Sequence, residues 1–138
     1  MLTVSKKDVD EMKAHALEED PNECCGILIG KGEEANKLHR VVNVDKSPYR
    51  YRMDPLGQLE ADKDADKNGW EFVAFYHSHT HSPAYPSSTD VRMAVDNGWL
   101  NVKYVLISLM DKTNPIVKVF RITSEGKIIE EGLEVKGR

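Results

Sequence analysis

His77 and His79 stand two residues apart at the end of an apolar run, and Asp90 follows beyond a loop. In extended backbone, residues i and i+2 project to the same side, so the two imidazoles can converge on one point. Asp90 falls in the first turn of an expected helix, from which the chain can fold back toward that point. Two imidazoles and one carboxylate make a three-ligand set that leaves a position open for water. That is the pattern of a catalytic zinc site, whereas four cysteines or histidines would close it. Iron or cobalt suits the same donors. A metal held in this way lowers the pKa of its water to about 7 and polarises a substrate carbonyl. Amide hydrolysis then needs a carboxylate to carry the water's proton to the leaving amine. It also needs a donor for the oxygen that becomes anionic. Ser87, three residues before Asp90, offers a hydroxyl for that second task, although Ser-Ser-Thr-Asp ahead of a helix is also ordinary capping chemistry. The proton carrier must come from elsewhere in the chain.

The elements that would position these groups can be read from apolar spacing. Residues 5–19 suit an amphipathic helix: Ser5 is an N-cap with Asp8 three residues on, and Val9, Met12, Ala16 and Leu17 share a face. Asp20-Pro21-Asn22 breaks it. Cys24 to Ile29 suits a buried strand, with a turn at residues 30–34 and a second strand over His39 to Val44 paired with the first. Residues 45–69 begin as a loop at Ser47-Pro48, and Pro55 to Asn68 suits a surface helix stopped by Gly69. Glu71 to Tyr76 is expected as a central strand ending where the histidines begin. Ser87 to Asn97 is expected as a helix closed by Gly98. Val102 to Leu109, Ile116 to Ile122 and Lys127 to Val135 then make an antiparallel meander. The fold class is α/β, more strictly α+β: one domain over residues 1–138, with a mostly antiparallel or mixed sheet flanked by helices.

His-x-His, seven residues, then Ser-x-x-Asp resembles the signature of the JAMM (MPN-plus) metalloproteases, which remove ubiquitin-like modifiers. The resemblance implies the MPN/JAB fold, which is shared with cytidine deaminases, and a bound Zn2+. Its general base is a Glu just ahead of a small-residue strand, and Glu23-Cys24-Cys25-Gly26-Ile27-Leu28-Ile29-Gly30 stands in that place, which assigns the role to Glu23. A solvated loop carboxylate is the plainer alternative for Glu23. Tyr51-Arg52-Met53-Asp54, Tyr76-His77-Ser78-His79-Thr80 and Ala84-Tyr85-Pro86-Ser87 with Thr89-Asp90-Val91 are similar to a bacterial branch, the Mec-type peptidases. Those enzymes remove cysteine from the C-terminal Gly-Gly of a small ubiquitin-like sulfur-carrier protein. Thr80 stands where eukaryotic deubiquitinating members usually carry Pro, which points to the bacterial branch. The likeness runs from about residue 5 to about residue 123. It implies a zinc peptidase whose partner is such a carrier, with a broader isopeptidase for ubiquitin-like modifiers as the alternative. An MPN-type binding module without activity is the alternative of another class, but such modules typically lack the ligands. The likeness is compatible with a homodimer and does not require one.

Other chemistries fit less well. Zinc nucleobase deamination needs a Cys-x-x-Cys ligand pair, and Cys24 and Cys25 are adjacent and precede the histidines. A cysteine protease using one of them as nucleophile leaves the His-x-His…Asp set unexplained. Neighbouring cysteines make a strained disulfide, so both read as small buried residues. His15 and His39 read as ordinary hydrogen-bonded polar residues. His81 is open between an exposed loop residue, a substrate contact and a fourth ligand. Tyr51, Met53 and Tyr85 suit either packing or a groove for an extended C-terminal tail. The net charge of −4, with no basic run longer than Lys6-Lys7, argues against a nucleic-acid partner. No apolar stretch is long enough to span a bilayer and no apolar leader follows Met1, so the expected location is the cytoplasm.

Overall fold

One sheet carries the site, and it is built from the most apolar runs of the sequence. The computed structural model describes residues 1–137. In chain order the elements are β1 (Leu2–Ser5), α1 (Lys6–Glu19), β2 (Cys25–Lys31), β3 (Glu34–Val41), α2 (Pro55–Asn68), β4 (Glu71–His79) and α3 (Ser88–Asn97). They are followed by β5 (Lys103–Ser108), β6 (Ile116–Ile122), β7 (Ile128–Glu131) and β8 (Leu133–Lys136). The strands form one mixed sheet in the order β7-β6-β5-β4-β2-β3-β1-β8. β2 pairs antiparallel with β3 and β4, β6 pairs antiparallel with β5 and β7, and β4–β5, β1–β3 and β1–β8 are parallel.

Side-chain alternation along β2 and β4 sends neighbouring residues into two separate cores. Cys24, Leu28, Ala74 and Tyr76 pack on one face with Val9, Met12 and Ala16 of α1. Cys25, Ile27, Ile29 and Phe75 pack on the other with Ala61 and Ala65 of α2 and Ala94 of α3. The adjacent cysteines are therefore both free and buried, and they point to opposite sides of the sheet.

The helices start and stop where their caps require. The Ser5 side chain accepts from the Asp8 N–H at α1, and Asp54 accepts from the Leu56 N–H ahead of Pro55 at α2. Gly69 and Gly98 adopt the left-handed conformation that ends α2 and α3.

Four expectations need correction. The chain opens with a strand, β1, that four residues were too short to signal. β3 begins five residues earlier than expected and ends at Val41, because the backbone beyond it bonds to the Asn43 side chain and to the 45–54 loop. β4 does not stop before the histidines: it continues through His79, paired on both sides by β2 and β5. The last strand is split at Gly132, whose carbonyl accepts from the Leu2 N–H. Its first half pairs with β6 and its second half with β1, so the two ends of the sheet order belong to one extended segment. The meander therefore holds for β5 to β7 only.

Gly26 illustrates how tight the α1 face is. A Cβ there would overlap the ring of Tyr76. That ring is fully buried and cannot swing away, since its hydroxyl is hydrogen-bonded to His15 Nδ1 at 2.7 Å. Gly26→Ala should therefore cost at least about 2 kcal/mol of stability in urea unfolding through overpacking. Burial also lowers the His15 pKa to about 4, below an unfolded value near 6.5, with Arg40 adding to the effect. The stability that neutral His15 contributes is thus complete above the unfolded value and is lost as pH falls toward 4. The advantage of wild type over His15→Leu should shrink between pH 7 and pH 5, as measured by denaturant titration of the metal-free protein.

Candidate functional site

The last residues of β4 and the first turn of α3 bring the expected ligands together. His77 and His79 share the α2/α3 face of the sheet, and their Nε2 atoms lie 3.2 Å apart. Asp90 Oδ2 is 3.1 Å from each of those nitrogens. Among the described residues these three side chains form the group that could hold a metal ion. His77 is fully buried, His79 nearly so, and Asp90 half-buried.

α3 presents Asp90 through a capping box. Ser87 is the N-cap, and its hydroxyl accepts from the Asp90 N–H at 3.0 Å. Asp90 Oδ2 in turn accepts from the Ser87 N–H at 2.9 Å. Burial works to raise the Asp90 pKa, but His77, His79 and the Ser87 N–H outweigh it and hold the carboxyl well below the usual carboxylate range. Asp90 is therefore an anion at neutral pH.

The strand register places Glu23. Cys25 pairs with His77 across β2 and β4. The Ser78 N–H donates to the Cys24 carbonyl at 3.2 Å, and the Ser78 hydroxyl accepts from the Cys24 N–H at 2.8 Å. Side-chain alternation from Cys25 directs Glu23 to the same face as the ligands, where His79 and Asp90 are close enough to act on its charge. Glu23 is only 4% exposed, and its Oε1 has no hydrogen-bond partner. Burial, against the opposing effect of His79, pushes its pKa up to about 8. A carboxyl in that range can both take and give a proton near neutrality.

The two imidazoles are oriented by different means. His79 Nδ1 lies 3.0 Å from the Pro83 carbonyl, which can only accept. Nδ1 therefore carries the proton and Nε2 presents its lone pair to the ligand point. His77 Nδ1 is buried and has no such partner. Its ring is held instead by Tyr51, stacked on it at 4.4 Å between centroids and 27° between planes.

Tyr51 also lines a cavity of about 160 Å³ with Met53, Phe75, Asp90, Met93 and Trp99. Arg50 and Arg52 stand at the same cavity, and both pair with the single carboxylate of Asp45 at 3.3 Å. Tyr51 and Met53 thus do both things expected of them, packing against the core of that face and lining a cavity. Tyr85 does not line the cavity; it packs edge-on against Phe120. Ser87 is exposed at the N-cap of α3, and His81 is an exposed loop residue outside the ligand triangle. His15 and His39 are satisfied by Tyr76 and Asp64.

Sequence reasoning missed Asn43, Ser78 and the stacking role of Tyr51. Asn43 had a legible signal: one amide inside the run Val41-Val42-Asn43-Val44 is a polar group that burial obliges to find partners.

Residues 5–123 match the family described as prokaryotic homologs of the JAB domain. The chain belongs to that family. Among curated relatives, the CysO-cysteine peptidase of Mycobacterium tuberculosis is 36% identical, over 98% of this chain and 91% of its own length. The "Probable TtuB-protein conjugate cleaving protease" of Thermus thermophilus is 37% identical, over 68% of this chain and 64% of its own length. A Desulfitobacterium hafniense protein known from its solution structure superposes with a TM-score of 0.87 at 39% identity, covering 100% of this chain and 94% of that one. The JAB fold accounts for the mixed sheet with α1 on one face and α2 and α3 on the other.

The donor set fits a metal cation. Two imidazole nitrogens and a carboxylate oxygen face one another at 3.1–3.2 Å, with His79 fixed in the ligating tautomer and Asp90 ionised. Adding zinc to chelator-treated protein should raise its melting temperature, because an ion bound only by the folded state stabilises that state. Tyr51→Ala should weaken zinc binding by about tenfold or more in a chelator competition, as expected when a ligand loses its support. Tyr51→Phe, which keeps the stacked ring, should bind as wild type does.

Proposed function

We propose that the chain is a zinc-dependent peptidase that hydrolyses the amide bond after the C-terminal Gly-Gly of a small ubiquitin-like sulfur-carrier protein and releases cysteine. The observation that carries this reading is the buried carboxyl of Glu23, close enough to His79 and Asp90 of the metal-ligating group for both to act on its charge. Its support from relatives is the 36% identity along nearly the whole chain to a protein named a CysO-cysteine peptidase.

His77, His79 and Asp90 would hold the zinc. Ligand atoms around a tetrahedral zinc at about 2.0–2.1 Å are about 3.3 Å apart, close to the 3.1–3.2 Å separations found here. Zinc in such a site supplies a Lewis acid and a water that ionises near neutral pH.

The chain's own groups do the rest. Glu23, poised by burial, takes the proton of the attacking water at a carboxylate oxygen and delivers it to the nitrogen of the departing residue. Ser87 accepts from the Asp90 N–H with one lone pair, and its hydroxyl proton donates to the carbonyl oxygen as that oxygen gains charge. The cavity beside Asp90, walled by Tyr51, Met53 and Met93, takes an apolar part of the carrier's tail. Paired glycines at the cut suit a narrow approach because they add no side chains between the tail and the buried ligands.

A broader deconjugase is the second reading, favoured by the relative named for cleaving TtuB-protein conjugates. The two readings differ in what leaves: free cysteine in the first, a lysine-linked protein in the second. Among the described residues no helix is long and apolar enough to cross a membrane, and we place the reaction in the cytoplasm.

The deciding experiment incubates zinc-loaded protein with a ubiquitin-like carrier ending in Gly-Gly-Cys and follows the masses. Loss of one cysteine, abolished by chelator and by Asp90→Ala, is the expected result. Glu23→Gln should keep one zinc per chain while kcat falls by about 10²–10⁴-fold, the usual contribution of a positioned acid–base group. Ser87→Ala should cost about 10²-fold in kcat and, separately, about 1 kcal/mol of stability for the lost cap. An intact carrier on fully metallated protein would sink this reading and direct the search to isopeptide conjugates.

A further inference from the structure

Asn43 is buried, at 6% exposure, just beyond the end of β3. Its side chain has two N–H donors and an oxygen that can accept twice, and all four capacities are used. Nδ2 donates to the carbonyl of Glu23 at 3.0 Å and to that of Arg50 at 3.2 Å. Oδ1 accepts from the N–H of Asp45 at 3.1 Å and from that of Arg52 at 2.9 Å. Only one orientation of the amide satisfies these four partners, since carbonyls must face the NH2 and amides must face the oxygen.

Glu23 is held from its other backbone group as well. Its N–H donates to the Ser47 carbonyl at 2.9 Å. Both main-chain polar groups of Glu23 therefore end on the loop between β3 and α2 rather than on the sheet. β2 begins at Cys25, so the ladder with β4 does not secure the residue that carries the carboxyl. The same loop reaches two further points of the site. Tyr51 stacks on His77, and the Thr80 hydroxyl donates to the Pro48 carbonyl at 3.3 Å.

We propose that Asn43 is the positioning residue for Glu23: its amide clamps the 43–54 loop to the Glu23 main chain and so sets the carboxyl beside the His77–His79–Asp90 group. This inference rests on the reading of Glu23 as the proton carrier. It adds that the Glu23 main chain is anchored to the loop between β3 and α2 and not to the sheet. Arg50 and Arg52, whose backbones bond to Asn43, both face that cavity. A displaced base loses rate steeply, since about 1 Å of misplacement can cost about 10²-fold.

Asn43→Asp tests the clamp selectively. The aspartate keeps the oxygen that accepts from Asp45 and Arg52 and turns a second oxygen toward the Glu23 and Arg50 carbonyls, which breaks the donor arm. Asn43→Ser removes the reach of the amide without adding charge and serves if the charged variant does not fold. Both should bind one zinc per chain with unchanged affinity and exchange the Glu23 amide proton faster than wild type, while amides of β4 and β5 keep their protection. On the Gly-Gly-Cys carrier, kcat should fall at least about tenfold while KM stays within about twofold. In a Glu23→Gln background, Asn43→Asp should lower the residual rate no further.

Unchanged exchange at Glu23 in a folded variant would overturn the proposal, whatever the substrate. So would an equal loss of rate with and without Glu23, which would mark a general structural effect. A Glu23→Gln protein as fast as wild type would remove the base reading, and the role of Asn43 with it. An inactive Glu23→Gln beside a fully active Asn43→Asp would remove the Asn43 proposal alone.

Discussion

Three candidate ligand atoms held 3.1–3.2 Å apart in a largely buried corner are the constraint to which the rest of the molecule answers. Two imidazole nitrogens that both face a carboxylate oxygen, with one ring tautomer set by the Pro83 carbonyl, make a concentrated negative pole. Groups so placed are stable only if the framework prevents them from spreading or if a cation sits among them. The framework supplies its part through two rigid devices. A strand paired on both sides carries the histidines, and a capping box ties the aspartate to the start of α3. In each device the bond that builds the secondary structure is also the bond that aims a ligand. Asp90 shows this best, since one oxygen caps the helix through the Ser87 N–H and meets both histidines.

The register between β2 and β4 is the second constraint, because it decides which face Glu23 joins. A shift by one residue would turn Glu23 and Cys25 toward α1 and bring Cys24 into the site. Two features oppose that slip. Cys24 and Ser78 exchange a backbone bond and a side-chain bond at the end of the ladder. Gly26 accommodates the Tyr76 ring, which any residue with a Cβ at that register would meet. Small residues after Glu23 are thus a packing requirement of the sheet before they are a signature of activity.

Most of this was legible in the sequence because it depends on local patterns. The caps at Ser5 and Ser87, the stops at Gly69 and Gly98, and the apolar runs of β2, β4, β5 and β6 each declare themselves within a few residues. The convergence of His77, His79 and Asp90 followed from strand and helix geometry alone, while Glu23 came only through resemblance to a family. What was not legible depends on long-range partners. β1 exists because β3 and β8 flank it, and a run of four residues has no periodicity strong enough to say so. Gly132 divides the last strand between two distant neighbours, a fact about the sheet's closure and not about Gly132. The stacking of Tyr51 on His77 joins residues 26 positions apart across an irregular loop, where neither period applies.

The buried polar atoms without partners show where the fold gives up stability for the site. Among the described residues there are three such side-chain atoms: Asp20 Oδ1, Glu23 Oε1 and His77 Nδ1. Leaving one unsatisfied costs about 1–3 kcal/mol, a large fraction of the margin of a domain this size. Two of the three, Glu23 Oε1 and His77 Nδ1, lie at the candidate site. An extra donor to Glu23 would lower its pKa, so a bare oxygen is the form that suits the base proposed for it. A hydrogen-bond acceptor behind His77 would duplicate the support that Tyr51 already provides by stacking, but it would also place another polar group beneath a fully buried ring. The sheet and its two cores absorb these costs, which is why the exceptions to the rule of satisfied polar groups concentrate where the chemistry is expected.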